Sequence, residues 1–206
     1  MNSTTNLLAL RKSLRQHRRQ LPARLQQQAG QRVAHQLLKY AQFKYSNKIG
    51  LYLSAFGEVP TQKIMQQCFK QNKKVYLPKI RNFDQKLVWV QINRQQWKNN
   101  RFAPHRLGMR EPRQRGISIN QLDLVVMPLL MFDLNGTRVG MGGGFYDRSL
   151  WKKYRPFRLG LAYDFQQVDN LVRQPWDQPL HAVLTPHYFH QFKRTNSAIS
   201  PFFVNK

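Results

Sequence analysis

The chain begins with apolar positions at helical spacing. Residues 7–20 carry leucines three and four positions apart among largely polar residues, which predicts an amphipathic helix. Pro22 suits the first turn of a second helix, where its missing amide hydrogen has no partner to lose. The apolar stripe of this second helix is formed by Leu25, Ala29, Val33 and Leu37. The chain is therefore predicted to open with two helices.

Short apolar runs further along the chain predict strands. One run covers residues 49–53, and the next covers residues 74–77, where Pro78 is expected to end it. Between them lies a segment with apolar residues at helical spacing, which Thr61 can cap. A strand, a helix and a strand in this order predict a βαβ unit.

Further apolar runs predict strands at residues 87–92, 122–127, 159–163 and 182–184. Residues 93–119 mix Asn, Arg, Gly and Pro without a sustained period, which predicts a long loop. Strands that alternate with helices indicate an α/β fold, with a mostly parallel sheet and helices on both faces. We expect a single domain over residues 1–186 and a partly disordered C-terminal tail over residues 187–206.

Length and composition fit one globular domain. Of the 206 residues 41% are hydrophobic, which is enough for a sizeable core. Lys and Arg number 34 against 9 Asp and Glu, and the formal charge of +25 favours polyanions: nucleic acid, a membrane surface, a nucleotide or a polyglutamylated small molecule. Cys68 is the single cysteine, which excludes an internal disulfide and fits a reducing cytoplasm. No apolar run approaches the roughly 18 residues of a membrane span.

The most informative segment is residues 136–148, Gly-Thr-Arg-Val-Gly-Met-Gly-Gly-Gly-Phe-Tyr-Asp-Arg. Its central glycines can adopt positive φ and lack Cβ, so consecutive amide hydrogens can surround a phosphate. Arg138 and Arg148 can add charged contacts to phosphate oxygens, and Asp147 can hold the divalent cation that accompanies a polyphosphate. A helix is predicted over residues 145–154, and its N-terminus would face the same anion.

The glycine pattern alone leaves two interpretations open. No Lys-Ser or Lys-Thr follows it, so it is not the P-loop, and Phe145 occupies the third glycine position of the dinucleotide fingerprint. A tight glycine turn without a ligand is the alternative. Six of the nine carboxylates lie between residues 123 and 177, around this loop. Their clustering suits a metal and phosphate site, and ordinary caps and surface pairs would produce it too.

Five segments of the chain occur in a recognisable order. They are Lys-Ser-Leu-Arg at 12–15, Gly-Glu-Val-Pro-Thr at 57–61, Leu-Asp-Leu-Val-Val-Met-Pro at 122–128, the glycine-rich segment at 136–148, and Asp-Gln-Pro-Leu at 177–180. Together they resemble the 5-formyltetrahydrofolate cyclo-ligase family over residues 7–186. The resemblance implies an α/β fold of the NagB/RpiA/CoA-transferase-like type.

The resemblance also implies an activity, the ATP- and Mg²⁺-dependent conversion of 5-formyltetrahydrofolate into 5,10-methenyltetrahydrofolate with release of ADP and phosphate. In that family ATP phosphorylates the formyl oxygen, N10 of the folate attacks the activated carbon, and phosphate leaves. No protein nucleophile is needed. The chain would supply positioning and charge neutralisation around the phosphoryl group.

Individual residues receive roles from the same resemblance. Arg138, Arg148 and Tyr146 would be catalytic. Phe56, Glu58 and Tyr146 would contact the folate, and Asp147 and Asp177 would bind Mg²⁺. The ATP site would comprise Arg11, Lys12, Arg15, Gly140, Met141, Gly142, Gly143, Gly144, Phe145, Tyr146 and Arg148.

Three positions depart from the family's pattern. Arg11 stands where lysine is usual, which keeps the charge and changes its geometry. Phe145 replaces the first tyrosine of Gly-Tyr-Tyr-Asp and loses a hydroxyl, and His181 stands where aspartate is common. Candidates for stacking on pterin or adenine, with core packing the preferred interpretation for each, are Trp89, Trp97, Phe102 and Trp176.

Two other functions stay open. The charge, and basic segments such as residues 98–115, motivate a nucleic-acid-binding protein, although no zinc-finger spacing or RNA-recognition signature is present. The three departures motivate a catalytically altered homologue that binds folate or ATP without turnover. The Arg- and Ser-rich N-terminus also resembles an organelle transit peptide.

We expect a cytoplasmic monomer that binds a folate, polyglutamylated or not. We expect no membrane partner and no specific nucleic-acid partner, and we expect binding to other polyanions to be weak and salt-sensitive.

Overall fold

The structure, a computed structural model, describes residues 3–150 and 156–192. Its helices are α1 (Ser3–Gln20), α2 (Ala23–Leu37), α3 (Ala41–Lys44), α4 (Gln62–Lys70), α5 (Arg94–Lys98) and α6 (Phe145–Leu150). Its strands are β1 (Lys48–Gly50), β2 (Lys74–Ile80), β3 (Leu87–Ile92), β4 (Ala103–Pro104), β5 (Arg110–Glu111), β6 (Leu124–Pro128), β7 (Met131–Phe132), β8 (Arg138–Val139), β9 (Phe157–Leu161), β10 (Ala182–Leu184) and β11 (Phe189–Gln191). None of these helices is long and apolar enough to cross a membrane.

Seven strands form one sheet in the order β11-β10-β9-β6-β1-β2-β3. The five inner strands run parallel, whereas the edge strands β3 and β11 are antiparallel to their neighbours. In the central strand β6, residues 124–127 are fully buried, as expected for a parallel strand covered on both faces. The predicted α/β fold with a mostly parallel sheet is confirmed.

Apolar side chains cover both faces of the sheet. Leu124 and Val126 belong to a cluster that α2 and α4 complete, whereas Val125 and Met127 belong to a second cluster that includes Leu150 of α6. Because successive side chains of a strand point to opposite faces, the two clusters lie on opposite sides of the sheet. Helix α1 packs separately, through Leu14, against the residues that follow β6.

Strand β2 continues past Pro78, where the sequence predicted its end. Pro78 lies opposite Trp89 of β3. The amide and the carbonyl of Trp89 bond to Ile117 instead, at 2.9 Å each, so the pair with β2 is a non-hydrogen-bonded one. A proline is tolerated at such a position because no amide hydrogen is needed there.

Two other local predictions were wrong. Thr61 precedes α4, but its hydroxyl donates to the buried carbonyl of Tyr52 at 2.6 Å and does not cap the helix. Residues 93–119 are not one loop, because they contain α5 and the β4–β5 hairpin. Asn93 and Gln96 form a reciprocal capping box that begins α5, and this helix is too short to show an apolar period.

The sequence predicted that a C-terminal tail begins at residue 187, but the first part of this segment belongs to the sheet. Strand β11 lies inside residues 187–206 and pairs antiparallel with β10, so the sheet continues past residue 186. Its Phe189 stacks on Tyr40, with ring centroids 3.7 Å apart, which gives a polar segment an apolar anchor. The rest of that tail, residues 193–206, and the end of the predicted helix 145–154 beyond Leu150 lie outside the described residues.

A short hairpin, β7–β8, leads from the central strand to the glycine-rich segment. Its turn is organised by Asp133, whose fully buried carboxylate accepts three backbone N–H groups. Oδ1 accepts from Asn135 at 3.0 Å and Thr137 at 2.8 Å, and Oδ2 accepts from Leu171 at 3.0 Å. This carboxylate therefore ties the hairpin to the segment near residue 171.

Replacing Asp133 with alanine would leave these amide hydrogens without an acceptor. We expect the free energy of unfolding to fall by about 3 kcal/mol or more, because each buried unsatisfied group costs about 1–3 kcal/mol. Urea denaturation followed by tryptophan fluorescence measures the change. The control is Asp169→Ala at an exposed position, with an expected change below about 0.5 kcal/mol. Equal losses in the two variants would contradict the assigned role of Asp133.

Candidate active site

A cleft of about 1640 Å³ lies at the carboxyl ends of the central strands. Its walls come from segments distant in sequence: the loop after β1, the end of β6, the segment after β8, and one face of α1. We call residues 54–58 the Glu58 loop and residues 140–144 the glycine loop. Both line this cleft, which is where ligands bind in open parallel sheets.

Helix α1 presents a row of arginines to the cleft. Arg11, Arg15 and Arg19 are four positions apart, so they share one face of the helix and all line the cleft. Lys12 was predicted for the ATP site, but it is exposed and does not line the cleft. One position along a helix turns a side chain by about 100°, which carries Lys12 away from the row of arginines.

The Glu58 loop turns sharply towards α1. Phe56 and Gly57 have consecutive positive φ angles of 51° and 75°. A Cβ on Gly57 would collide with the backbone carbonyl of Arg18, so this position requires glycine for both its angle and its close approach to the helix. The turn brings Phe56 and Glu58 to the cleft as predicted, with the Arg19 guanidinium 5.6 Å from the centre of the Phe56 ring.

Glu58 is a carboxylate in an apolar, hydroxyl-rich setting. Burial raises its pKa, while the N–H of Ala55, 3.0 Å from Oε2, and the charge of Arg18 act to lower it. Of the phenol groups around it, those of Tyr52 and Tyr163 are buried and that of Tyr146 is half-buried. Burial raises the pKa of Tyr163 to about 12, and it also raises the pKa values of Tyr52 and Tyr146. These phenols therefore remain protonated and can donate hydrogen bonds.

Arg18 is not among the residues that the sequence predicts for the site, yet its side chain contacts three residues that line the cleft. It is only 1% exposed. Its Nε donates to the carbonyl of Phe56 at 3.1 Å, its Nη1 to the carbonyl of Leu129 at 3.1 Å, and its Nη2 contacts Sδ of Met141 at 3.5 Å. A signal existed, because Arg18 continues the leucine stripe of α1, where a charged residue is out of place.

The glycine loop leaves room for a ligand. Gly142 and Gly144 have φ angles of 103° and 61°, which favour glycine. Gly140 does not have a positive φ angle. A Cβ at Gly140 or at Gly142 would meet no atom of the described residues within 4 Å. No group of the described residues 3–150 and 156–192 therefore explains the absence of a side chain at Gly140. A ligand that approaches the backbone closely would explain it.

Arg138 and Asp147 form a partly buried ion pair beside this loop. Nη2 of Arg138 lies 2.8 Å from Oδ1 of Asp147, and Nη1 donates to the carbonyl of Gln178. The N–H of Gln178 donates to the same Oδ1 at 2.9 Å. These bonds hold Gln178, and with it the neighbouring residue Asp177, beside α6. Asp177 is the second predicted metal ligand, and it also lines the cleft. The N–H of Gln174 donates to Oδ2 of Asp177 at 2.8 Å.

The carboxylates Asp147 and Asp177 fit Mg²⁺ better than a metal held by protein alone. In the described part of the chain, no group of three or more His, Cys, Asp or Glu residues could hold an ion. Mg²⁺ bound with a nucleotide takes one or two carboxylates and completes its shell with phosphate oxygens and water. Oδ1 of Asp147 is shared by two donors, and the hydrogen bonds of the described residues do not occupy Oδ2.

The remaining predicted residues divide between the cleft and its surroundings. Met141, Phe145, Tyr146 and Arg148 line the cleft. The Arg148 guanidinium lies 5.3 Å from the centre of the Phe145 ring and donates to the carbonyls of Gln85 and Gly143, at 3.1 and 2.6 Å from Nη2. His181 does not line the cleft. Its Nδ1 accepts from the N–H of Arg158 at 2.9 Å.

Of the aromatic candidates for stacking, Trp89 and Phe102 are buried in the core. Trp97 packs against that core beside Phe69. Trp176 differs, because it is 57% exposed and lines the cleft next to Asp177. Core packing is thus confirmed for the first three, and Trp176 remains a candidate for stacking.

The chain is similar to proteins of one family. The family model of the 5-formyltetrahydrofolate cyclo-ligase family matches residues 4–186. The 5-formyltetrahydrofolate cyclo-ligase of Escherichia coli strain K12 is 36% identical over 179 residues, which cover 84% of this chain and 96% of that protein. The cyclo-ligase of Haemophilus influenzae is 38% identical over 182 residues, covering 85% of this chain and 95% of that protein.

Solved structures agree with these relatives. The NMR structure of Aquifex aeolicus 5,10-methenyltetrahydrofolate synthetase matches with a TM-score of 0.77 at 26% identity, covering 94% of this chain and 96% of that one. All residues that line the cleft, from Leu7 to Asp177, fall within the matched segment. On sequence, fold and the position of the cleft, this chain belongs to the 5-formyltetrahydrofolate cyclo-ligase family.

Proposed function

We propose that this cyclo-ligase converts 5-formyltetrahydrofolate into 5,10-methenyltetrahydrofolate with ATP and Mg²⁺, releasing ADP and phosphate. One observation carries the proposal: the glycine loop and the Glu58 loop line the same cleft. A polyphosphate on the first loop and a pterin on the second would have their reacting groups between them. Phosphoryl transfer needs this proximity more than it needs a protein nucleophile.

On the nucleotide side, the amide groups of the glycine loop would hold the phosphates. Arg11 and Arg15 would supply positive charge from α1. Arg138 precedes the loop in sequence and Arg148 follows it, and both line the cleft, where they would neutralise charge on the transferring phosphoryl group. The open space at Gly140 and Gly142 supports this assignment.

On the folate side, Glu58 would accept pterin N–H groups, since a carboxylate can accept two parallel bonds. Phe56 supplies an apolar wall, and the protonated hydroxyl of Tyr146 supplies a donor. A polyglutamate tail would suit the basic rim, to which Arg19, Arg81 and Arg106 contribute. We propose that the protein carries out the reaction as a monomer in the cytoplasm.

The reaction then balances without a covalent enzyme intermediate. The formyl oxygen attacks the γ-phosphorus of ATP and ADP leaves. N10 adds to the formyl carbon, the C–O bond breaks with release of phosphate, and the proton of N10 is lost to solvent. Mg²⁺, when bound by Asp147 and Asp177, would neutralise phosphate charge. The side chains of the cleft hold the formyl oxygen and the γ-phosphate in line.

The first test is the ATP- and Mg²⁺-dependent growth of the near-ultraviolet absorbance of methenyltetrahydrofolate. Purified protein is mixed with 5-formyltetrahydrofolate, and ATP, Mg²⁺ or protein is omitted in turn. We expect the band only in the complete mixture, at a rate that moderate salt changes little. If folded protein that binds ATP gives no band, the proposed turnover is wrong and binding is left as the function. Nucleic-acid binding that disappears in moderate salt would be electrostatic only.

A second test concerns the metal ligands. Asp147→Asn retains an oxygen that can accept from Gln178 and removes the charge that Mg²⁺ needs. We expect kcat to fall by about a hundredfold or more, because metal neutralisation of the phosphoryl group is worth several kcal/mol. The melting temperature should fall as well, because the buried guanidinium of Arg138 loses its charged partner. Asp169→Asn at an exposed site is the matched control, and equal rates in both variants would remove Asp147 from the metal site.

Glu58 allows a test in which stability and binding change in opposite directions. Its folded pKa is raised by burial, so its charge destabilises the fold increasingly as the pH rises from about 4.3, the unfolded value, through the folded pKa. Glu58→Gln should therefore raise the melting temperature at pH 7 and have no such effect below about pH 4. The KM for 5-formyltetrahydrofolate should rise about tenfold or more. A lower melting temperature at pH 7 would contradict the electrostatic assignment.

A further inference from the structure

Arg18 contacts all three segments that meet at the base of the cleft. Phe56 belongs to the Glu58 loop, Leu129 follows the central strand, and Met141 belongs to the glycine loop. A guanidinium has its donors fixed in one plane, so satisfying partners on several segments fixes their separations. Arg18 itself does not line the cleft, and it is therefore distinct from the arginine row of α1.

We propose that Arg18 is a positioning residue for the cyclo-ligase reaction, one that sets the Glu58 loop and the glycine loop at the separation required for phosphoryl transfer between their ligands. This inference rests on the proposed function. The burial of Arg18 supports it, since a buried charge is weak evidence for stability but a strong constraint on geometry. The collision that a Cβ on Gly57 would make with the carbonyl of Arg18 shows how closely the loop and α1 are fitted.

The charge of Arg18 has a second effect, on Glu58. Among the described residues, four groups on separate segments interact electrostatically with this carboxylate: Arg18 on α1, Tyr52 after β1, Tyr146 on α6 and Tyr163 after β9. Arg18 is the one cation among them, and its charge lowers the pKa of Glu58 against the effect of burial. Without it, Glu58 would take up a proton at a higher pH and would lose its capacity to accept pterin N–H bonds.

Two substitutions separate the two effects. Arg18→Lys keeps the charge, but its single nitrogen cannot contact all three segments, so the KM values for ATP and for 5-formyltetrahydrofolate should both rise about tenfold or more. The acid limb of kcat/KM for the folate should stay where it is in the wild type. Arg18→Met also loses the charge, so both KM values rise and the acid limb moves to higher pH. Arg24→Met, exposed on α2 and outside the cleft, is the control and should match the wild type.

A lowered melting temperature with both KM values and the acid limb unchanged would show a purely structural role and overturn the proposal. A rise in the KM of one substrate alone would overturn it too. If neither variant folds, hydrogen exchange on the wild type decides. ADP alone should slow amide exchange in the Glu58 loop, and protection confined to the glycine loop would refute the coupling.

Failure of the proposed function is recognised separately. If the wild type forms no product, the cyclo-ligase assignment falls. The role of Arg18 is then judged by calorimetric binding of ATP with Mg²⁺ and of 5-formyltetrahydrofolate to the same variants. Arg18→Lys should weaken both about tenfold. Wild-type affinities in Arg18→Lys would overturn the inference, whatever the reaction is.

Discussion

Parallel pairing of the central strands is the constraint on which the site depends. Strands β1 and β6 pair in parallel, with Ile49 opposite Leu124, so both chains leave the sheet at the same edge. The chain leaving β1 forms the Glu58 loop, and the chain leaving β6 forms the β7–β8 hairpin and then the glycine loop. Two loops far apart in sequence become walls of one cleft because parallel strands share their carboxyl ends.

The carboxyl edge of the parallel sheet exposes backbone groups, and charged side chains lie close together there. The chain stabilises this edge with buried ionic groups. Asp133 accepts three amide hydrogens, Arg138 binds both Asp147 and the carbonyl of Gln178, and Arg18 donates to two carbonyls. Each charged group is costly to bury and is retained only with good partners. Most of these partners are backbone atoms of segments beside the cleft, so the hydrogen bonds fix the positions of these segments as well as satisfying the charges. Preorganisation of this kind is what phosphoryl transfer requires.

Features that repeat along the sequence could be predicted, and features that depend on one tertiary contact could not. The apolar runs located β6 and β10, and the glycines with their neighbouring arginines and carboxylates located the cleft. Strand β11 escaped prediction because its stability comes from pairing with β10 and from one aromatic stack. The strands of the β4–β5 hairpin are too short to show the alternation of apolar and polar residues that predicts a strand.

Helix α1 shows both outcomes within a few residues. Helical spacing alone places Arg11, Arg15 and Arg19 on one face, and the same arithmetic would have removed Lys12 from the site. Arg18 lies on the leucine stripe of α1. The helical spacing of this stripe predicts that its side chain is buried, whereas the charge of an arginine predicts that it is exposed. Local and global preferences conflict at that position, and conflicts of this kind are expected at functional sites.

The three departures from the family's pattern acquire different meanings once their surroundings are known. Arg11 still brings a positive charge to the cleft. The Phe145 ring lies so close to Gly143 that a Cβ there would collide with it, and its face contacts the Arg148 guanidinium, so this position acts through shape. His181 bonds to the backbone of Arg158 outside the lining. The three departures therefore remove no charge from the described cleft, and the one hydrogen-bonding group that they remove is the hydroxyl that Phe145 lacks.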